Sequence, residues 1–347
     1  MPADTVPAAR SAAAEAVPGE PVLRVADLRV GFAGAGREVL AVDGVDLALA
    51  PGRVHALVGE SGSGKSVTGL TVLGLTRGAG TRISGRVEYE GRDLLTLDEE
   101  TLRGLRGAEL AMIFQDPMAS LNPLHRVGRQ IAESVRLHAG SSRRVAADRA
   151  VELLDEVGIA DPQRAAQAYP HEFSGGMRQR VMIAIALACS PKVLIADEPT
   201  TALDVTVQAQ ILRLLRDLCR RRGTAVLLVT HDLGVVAQYA DEVSVMYVGE
   251  IVERGTAREV LRAPAHPYTR GLLAAVPRMH GPRPARLPTV PGSVPVLDAR
   301  PTGCRFVDRC AHAHEQCSTR PPVRQHRAGH TARCWLDAPS TREAGNA

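Results

Sequence analysis

Gly59-Glu60-Ser61-Gly62-Ser63-Gly64-Lys65-Ser66 is the stretch on which the reading of this chain turns. Its glycines let successive backbone N–H groups curl around phosphate oxygens, and the lysine brings a compact ammonium on a thin stem, which reaches β- and γ-phosphates without the bulk of a guanidinium. That choice is informative, because the whole chain holds two lysines against forty arginines. Ser66 offers its hydroxyl to Mg²⁺. Upstream, Arg53-Val54-His55-Ala56-Leu57-Val58 reads as a mostly apolar strand, and the uncharged run 66–76 reads as a buried helix. The loop therefore joins a strand to a helix, as the motif requires, and the helix N-terminus adds partial positive charge at the phosphates. A chance Gly/Ser turn would carry no such flanks.

Outward from the loop, the bulk properties narrow the classes. At 347 residues the chain is long enough for one large α/β domain with an appendage, or for two domains. A net charge of +4 implies no strong polyanion-binding field, and the runs Arg143-Arg144 and Arg220-Arg221-Arg222 read as solvated helix faces, so nucleic acid is not the default partner. No uncharged run exceeds eleven residues, well short of the roughly 20 needed to span a membrane. The first twenty residues are Ala/Pro-rich with scattered charges and read as a disordered tail rather than a secretory signal.

Short β-like runs come first (22–30, 39–49, 54–58), then a strand at 87–89, a charged helical stretch, an apolar run at 110–114 and amphipathic helices at 127–137 and 142–157. Helix and strand alternate from 174 to about 253: helix 176–189, strand 193–196, helix 205–220, strand 225–229, helix 233–238, strand 243–247. Such alternation predicts right-handed crossovers and a mostly parallel sheet covered on both faces, with residues 117–178 as a helical insertion. The stretch 281–301 holds six prolines and reads as an extended connector.

A phosphate loop alone says only nucleotide, and further motifs decide the class. Val193-Leu194-Ile195-Ala196-Asp197-Glu198 is an apolar strand ending in two carboxylates: beside the loop, Asp197 suits Mg²⁺ and Glu198 can polarise an attacking water. Phe173-Ser174-Gly175-Gly176-Met177-Arg178-Gln179-Arg180 sets Ser and two Gly at a helix start, an anion-binding geometry that also fits a plain N-cap.

This ordered set resembles the ATPase subunit of ATP-binding cassette transporters over about residues 22–261. The resemblance implies a P-loop NTPase fold, α/β with a mostly parallel sheet core, an N-terminal antiparallel β subdomain and a helical subdomain. It implies the Walker A loop at Gly59, Glu60, Ser61, Gly62, Ser63, Gly64, Lys65 and Ser66, with Val67 beside it. Gln115 in Phe114-Gln115-Asp116-Pro117 matches the Q-loop and is a further Mg²⁺ contact; Ser174, Gly175, Gly176 and Met177 fall in the signature motif. Asp197 and Glu198 match Walker B and its catalytic glutamate, Thr201-Ala202-Leu203-Asp204 the D-loop, and His231 the switch histidine. Phe32 is the candidate to stack on adenine, with a core role as its alternative. In the family two such subunits meet head to tail, each ATP lying between the Walker motifs of one and the signature of the other. Lys65, Gln115, Glu198 and His231 are then the catalytic set.

Two stretches resemble the oligopeptide, dipeptide and nickel importer branch: the extended Q-loop Phe114-Gln115-Asp116-Pro117-Met118-Ala119-Ser120-Leu121-Asn122-Pro123, and His266-Pro267-Tyr268-Thr269-Arg270-Gly271-Leu272-Leu273. That resemblance implies a bacterial importer of di- or oligopeptides, with nickel as a related substrate, held at the cytoplasmic face of the membrane. Its partners would be two transmembrane permease subunits, a second ATPase subunit forming a heterodimer, and an extracytoplasmic substrate-binding protein. The expected organisation is a tail at 1–20, an ATPase domain at 21–262, an extension at 263–338 and a tail at 339–347. The competing reading is a non-transport relative acting on nucleic acid with a zinc module. The stretch between Lys65 and Ser174 is too short for a long coiled-coil insertion, and only one ATPase set is present.

Of six cysteines, Cys189 and Cys219 lie on apolar helical faces and read as buried small hydrophobes. Cys304, Cys310, Cys317 and Cys334 cluster in a segment that must work beside cytosolic ATP, where disulfides are disfavoured and metal ligation is the leading use. Their spacing lacks the short knuckles of structural zinc, and four thiolates suit a [4Fe–4S] cluster at least as well. The importer resemblance also implies that cluster; zinc and free thiols remain as alternatives. His312, His314 and His330 nearby read as exposed loop histidines.

Overall fold

A computed structural model describes residues 20–34, 38–201, 203–276, 289–298 and 300–336. The tails expected at 1–20 and 339–347, residues 281–288 and 299 of the proline-rich connector, and Ala202 of the D-loop lie outside the described residues, Glu20 apart.

The described residues build two sheets. The first is antiparallel, in the order β2 (Glu38–Leu49), β1 (Leu23–Ala33), β4 (Thr81–Tyr89), β5 (Arg92–Asp93). Along β1 the buried Leu23, Val25, Leu28 and Val30 face a core shared with Val87 and Tyr89. The sequence reading found only the last three residues of β4. Arg82, Ser84 and Arg86 look like loop, yet they pair with β1, because one face of an antiparallel sheet can stand in water.

The second sheet has eight strands and carries the site. Its parallel half is β3 (Val54–Val58), β6 (Leu110–Ile113), β7 (Val193–Asp197), β8 (Ala225–Thr230) and β9 (Glu242–Tyr247), laid out as β9-β3-β8-β7-β6. β3, β7 and β8 are buried at every residue, which is why they read as unbroken apolar runs. The remaining strands, β10 (Glu250–Thr256), β11 (Val323–Arg327) and β12 (His330–Arg333), are antiparallel additions in the order β11-β12-β10-β9. The 262/263 boundary read from sequence is thus crossed by sheet pairing, since Glu253 and Arg254 of β10 lie opposite Ala332 and Thr331 of β12.

Two corrections come with this arrangement. His330 is not an exposed loop residue: it is 1% exposed, and its Nε2 lies 2.8 Å from Oε1 of the buried Glu253. Arg222 does not simply end a solvated face either, since it donates to the Leu187 carbonyl at 2.7 Å and pairs with Glu156 of the helical insertion. The insertion comprises helices Val127–Ala139, Arg143–Glu156 and Pro162–Gln167, packed with Gly175–Ala186 around Ile131, Val135, Leu153, Leu154 and Ile183. Cys219 is buried in that core and Cys189 half-buried against it, as their apolar surroundings in the sequence imply.

Candidate active site at the ends of the parallel strands

Four parallel strands deliver their next residues to one edge of the sheet: β3 leads into Gly59, β6 into Phe114 and Gln115, β7 ends at Asp197 with Glu198 following, and β8 leads into His231. The carboxyl edge of an open α/β sheet is where such folds bind ligands.

The loop after β3 closes tightly. Gly64 has φ of 104°, and a Cβ there would meet the Ala41 carbonyl oxygen at 2.4 Å, so only glycine fits. The helix Lys65–Val72 starts directly behind it. Lys65 is 5% exposed, and its Nζ donates to the carbonyls of Gly59 at 2.8 Å and Glu60 at 2.9 Å. Burial pulls the Lys65 ammonium below its ordinary pKa, and Glu198, Asp197 and Glu60 oppose the shift.

Opposite the loop, Ser66 Oγ donates to Asp197 Oδ1 at 3.0 Å, joining two of the three Mg²⁺ candidates across the sheet edge. Burial raises the Asp197 carboxyl, as does the neighbouring Glu198 charge. An oxygen-only pair suits Mg²⁺, and a cation there would relieve that raised carboxyl.

Glu198 is the hub. Gln115 Nε2 donates to its Oε2 at 3.0 Å, Thr201 Oγ1 donates to the same oxygen at 3.0 Å, and His231 Nδ1 lies 3.0 Å from its Oε1. Its backbone adopts φ of 44°, a left-handed conformation costly for a side-chain-bearing residue and characteristic of functional turns. Burial alone would push the Glu198 carboxyl up, but the hydrogen bonds from His231 and Thr201 outweigh it and hold it below the usual range. An ionised carboxylate at 17% side-chain exposure, between Gln115 and His231, can take a proton from a water. Thr201 is the participant that sequence reasoning placed only as a D-loop letter.

The remaining candidates stand apart from this hub. Ser174 caps the helix Gly175–Ala186 and accepts from the Met177 N–H at 3.4 Å, while Gly175 and Gly176 lie against Leu203 and Val207. Asp204 caps the helix Val205–Arg222, accepting from Thr206 and Val207 N–H groups at 3.1 and 3.0 Å. Both motifs are exposed at their tips, and Val205 beside Asp204 is 82% exposed. Phe32 is half-buried against the core of the antiparallel sheet.

A family model described as "ABC transporter" matches residues 42–201, and one described as "Oligopeptide/dipeptide transporter, C-terminal region" matches residues 252–317. The chain is 49% identical over 317 residues to the oligopeptide transport ATP-binding protein AppD of Bacillus subtilis, covering 91% of this chain and 96% of that one. The chain belongs to the ABC transporter ATPase family. A Brucella abortus protein, provisionally named as a peptide import ATP-binding protein, is 51% identical over 314 residues, covering 90% of this chain and 94% of its own length. A solved dimeric ATP-binding cassette in a post-hydrolysis state with ADP and Pi matches with a TM-score of 0.61 at 27% identity, covering 68% of this chain and 99% of that one. As an ABC ATPase this chain is an ATP-hydrolysing subunit.

The four C-terminal cysteines lie within electrostatic reach of one another. Burial, reinforced by the proximity of Cys317, Cys334 and Cys310, pushes the Cys304 thiol up to about 11. The Cys304 N–H donates to the Cys317 carbonyl at 2.9 Å, which ties the first and third together. Among the described residues, no three His, Cys, Asp or Glu side chains are gathered so as to hold one metal ion, so neither the [4Fe–4S] expectation nor the zinc alternative finds support in the geometry.

Proposed function

We propose that this ABC ATPase powers an importer of di- or oligopeptides. The observation that carries the reading is the joint presence of the hydrogen-bonded hub around Glu198 and a C-terminal region matching the oligopeptide/dipeptide model. In this reading Lys65 and the loop N–H groups hold the β- and γ-phosphates, and Glu198 accepts the proton of the attacking water. His231 and Gln115 orient that carboxylate, and Lys65 offsets charge on the transferring phosphoryl group. Mg²⁺, held by Ser66 and Asp197 with Gln115 nearby, would supply further neutralisation of the phosphate oxygens.

The outlying motifs acquire a role in a pair of such subunits. Ser174, Gly175, Gly176 and Met177 of one copy would close the ATP site of the other, with Asp204 at the same interface and Phe32 against the adenine. ATP binding then drives closure because it favours the paired state over the open one. Two membrane-embedded permease subunits receive that motion next to the Q-loop, where Phe114 is 43% and Leu124 81% exposed. None of the described helices is long and apolar enough to cross a membrane, which fits a peripheral subunit at the cytoplasmic face. A second, different ATPase chain and an extracytoplasmic peptide-binding protein complete the assembly, and nickel is a further candidate cargo.

Residues 263–338 form the importer-type extension in this proposal, and Cys304, Cys310, Cys317 and Cys334 hold a [4Fe–4S] cluster with a structural role. Four thiols match that cluster in number and kind. Such a cluster would supply cross-linking of the segment rather than chemistry at the ATP site.

The test is ATPase activity of the anaerobically purified chain assembled with its co-expressed membrane subunits, with and without a peptide-loaded binding protein, alongside iron and sulfide content. Stimulation by loaded binding protein is expected; turnover indifferent to it and stimulated by nucleic acid would overturn the transport reading.

A further inference from the structure

The phosphate loop carries a carboxylate at its second position, Glu60, where anionic phosphates are to bind. That charge is met from the far end of the chain. Arg309 takes both oxygens in a fork, Nη1 to Oε2 at 2.7 Å and Nη2 to Oε1 at 3.0 Å. The Arg309 side chain is only 4% exposed and is itself fixed: its Nε donates to the Pro291 carbonyl at 2.7 Å, and its Nη1 to the Tyr247 hydroxyl at 3.3 Å. Tyr268 adds a second hold from the same side, its fully buried hydroxyl accepting from the Glu60 N–H at 2.9 Å. Neither Arg309 nor Tyr268 belongs to the hydrolytic hub.

We propose that Arg309 is a positioning residue for nucleotide binding, which cancels the charge of Glu60 and fixes the first turn of the phosphate loop from the C-terminal segment. Without Arg309, the Glu60 carboxylate would stand unpaired beside incoming phosphates. It would also compete for Lys65, whose Nζ already bonds the Glu60 carbonyl. A planar fork satisfies both oxygens at once, which a lysine cannot do. Arg309 also closes the one-turn helix Val307–Arg309 directly before Cys310, so a rearrangement of the cysteine segment moves the guanidinium and, through Glu60, the loop. ATP affinity thereby depends on the fold of a segment that makes no phosphate contact. The inference rests on the loop being the ATP site.

The experiment is equilibrium binding of ATP in magnesium-free buffer to the full chain, with thermal unfolding measured on the same samples. Arg309→Ala is expected to weaken ATP binding about tenfold, or about 1.4 kcal/mol. Arg309→Lys should fall between that variant and wild type. Arg309→Ala combined with Glu60→Gln should recover most of the affinity, because no unpaired carboxylate remains; a purely structural role of Arg309 would leave the double variant as weak as the single one. A folded Arg309→Ala with wild-type affinity, or a loss that Glu60→Gln does not relieve, overturns the proposal. If Arg309→Ala does not fold, wild-type affinity in Arg309→Lys does so. Failure of the wild-type chain to bind ATP would instead sink the assignment of the loop.

Discussion

Arg305→Ala removes the centre of a buried ion network, and its cost can be worked out from the partners left behind. Asp43 of β2 is 5% exposed and Glu250 of β10 3% exposed, and Arg305 lies between them. Its Nε meets Glu250 at 2.9 Å, while its two terminal nitrogens go to Asp43 and to the Val248 carbonyl. Removing one partner of a buried pair typically costs about 3–5 kcal/mol, because the other charge stays buried and unpaired. Here two carboxylates lose a partner, but each keeps another: Arg320 lies 2.6 Å from Glu250, and Arg29 pairs with Asp43. Both of those arginines are 37% exposed and solvent-screened, so they compensate only in part. A loss of about 3 kcal/mol at neutral pH is the expected result, read from the shift in urea midpoint at constant slope. The pH dependence adds a second constraint. Burial alone would raise the Asp43 carboxyl, but Arg305, Arg320, Arg29 and Arg300 outweigh it and hold it below its ordinary range. A depressed folded-state pKa contributes stability that is complete above the unfolded value, about 3.9 for Asp, and is lost as pH falls through the folded value. The deficit of Arg305→Ala should therefore shrink in acid. A variant within about 1 kcal/mol of wild type at pH 7, or a deficit that grows on acidification, would refute the reasoning.

Three further outcomes follow from the site. Glu198→Gln should keep ATP binding and lose about 10²–10⁴-fold in turnover, the range for removing a general base; steady hydrolysis by that variant, free of wild-type enzyme, would remove Glu198 from the role. Because hydrogen bonds from His231 and Thr201 hold the Glu198 carboxyl low, activity should fall only as pH drops through that depressed value. His231→Ala should move this acidic limb to higher pH, and a pH–rate profile displaced the other way or not at all would contradict the assignment. Gly64→Ala should abolish nucleotide binding, since the added methyl meets the Ala41 carbonyl oxygen at 2.4 Å in a backbone conformation with φ of 104°; retained ATP affinity by calorimetry would show that the loop can re-form.

Much of the parallel half was legible because its signals are local. Buried strands such as Val193–Asp197 read as apolar runs, and the candidates Glu198 and His231 follow their strands directly in sequence. The antiparallel additions were not legible, for a physical reason. β10 carries Glu250 and Glu253, which look like solvent-facing residues, yet they are buried because Arg305 pairs with Glu250 and His330 hydrogen-bonds Glu253 from positions far along the chain. Periodicity cannot anticipate a partner of that kind. The same blindness explains His330, read as a loop residue, and Arg309, whose importance lies wholly in a carboxylate on the phosphate loop. Thr201 was missed as a contact of Glu198 because its hydroxyl reaches back only through the turn that the positive φ of Glu198 creates.

The pairing of β12 with β10 also has a consequence for synthesis. The ribosome releases β10 well before His330–Arg333, so the nascent chain carries an open strand edge with two carboxylates still awaiting their basic partners. Unmet charge on an edge strand discourages neighbouring chains from docking there, so the acidic residues that look misplaced in the finished protein would guard the unfinished one. Once β12 arrives, the guard becomes the joint, and the outermost strand is then β11, with Arg324 and Arg327 along it.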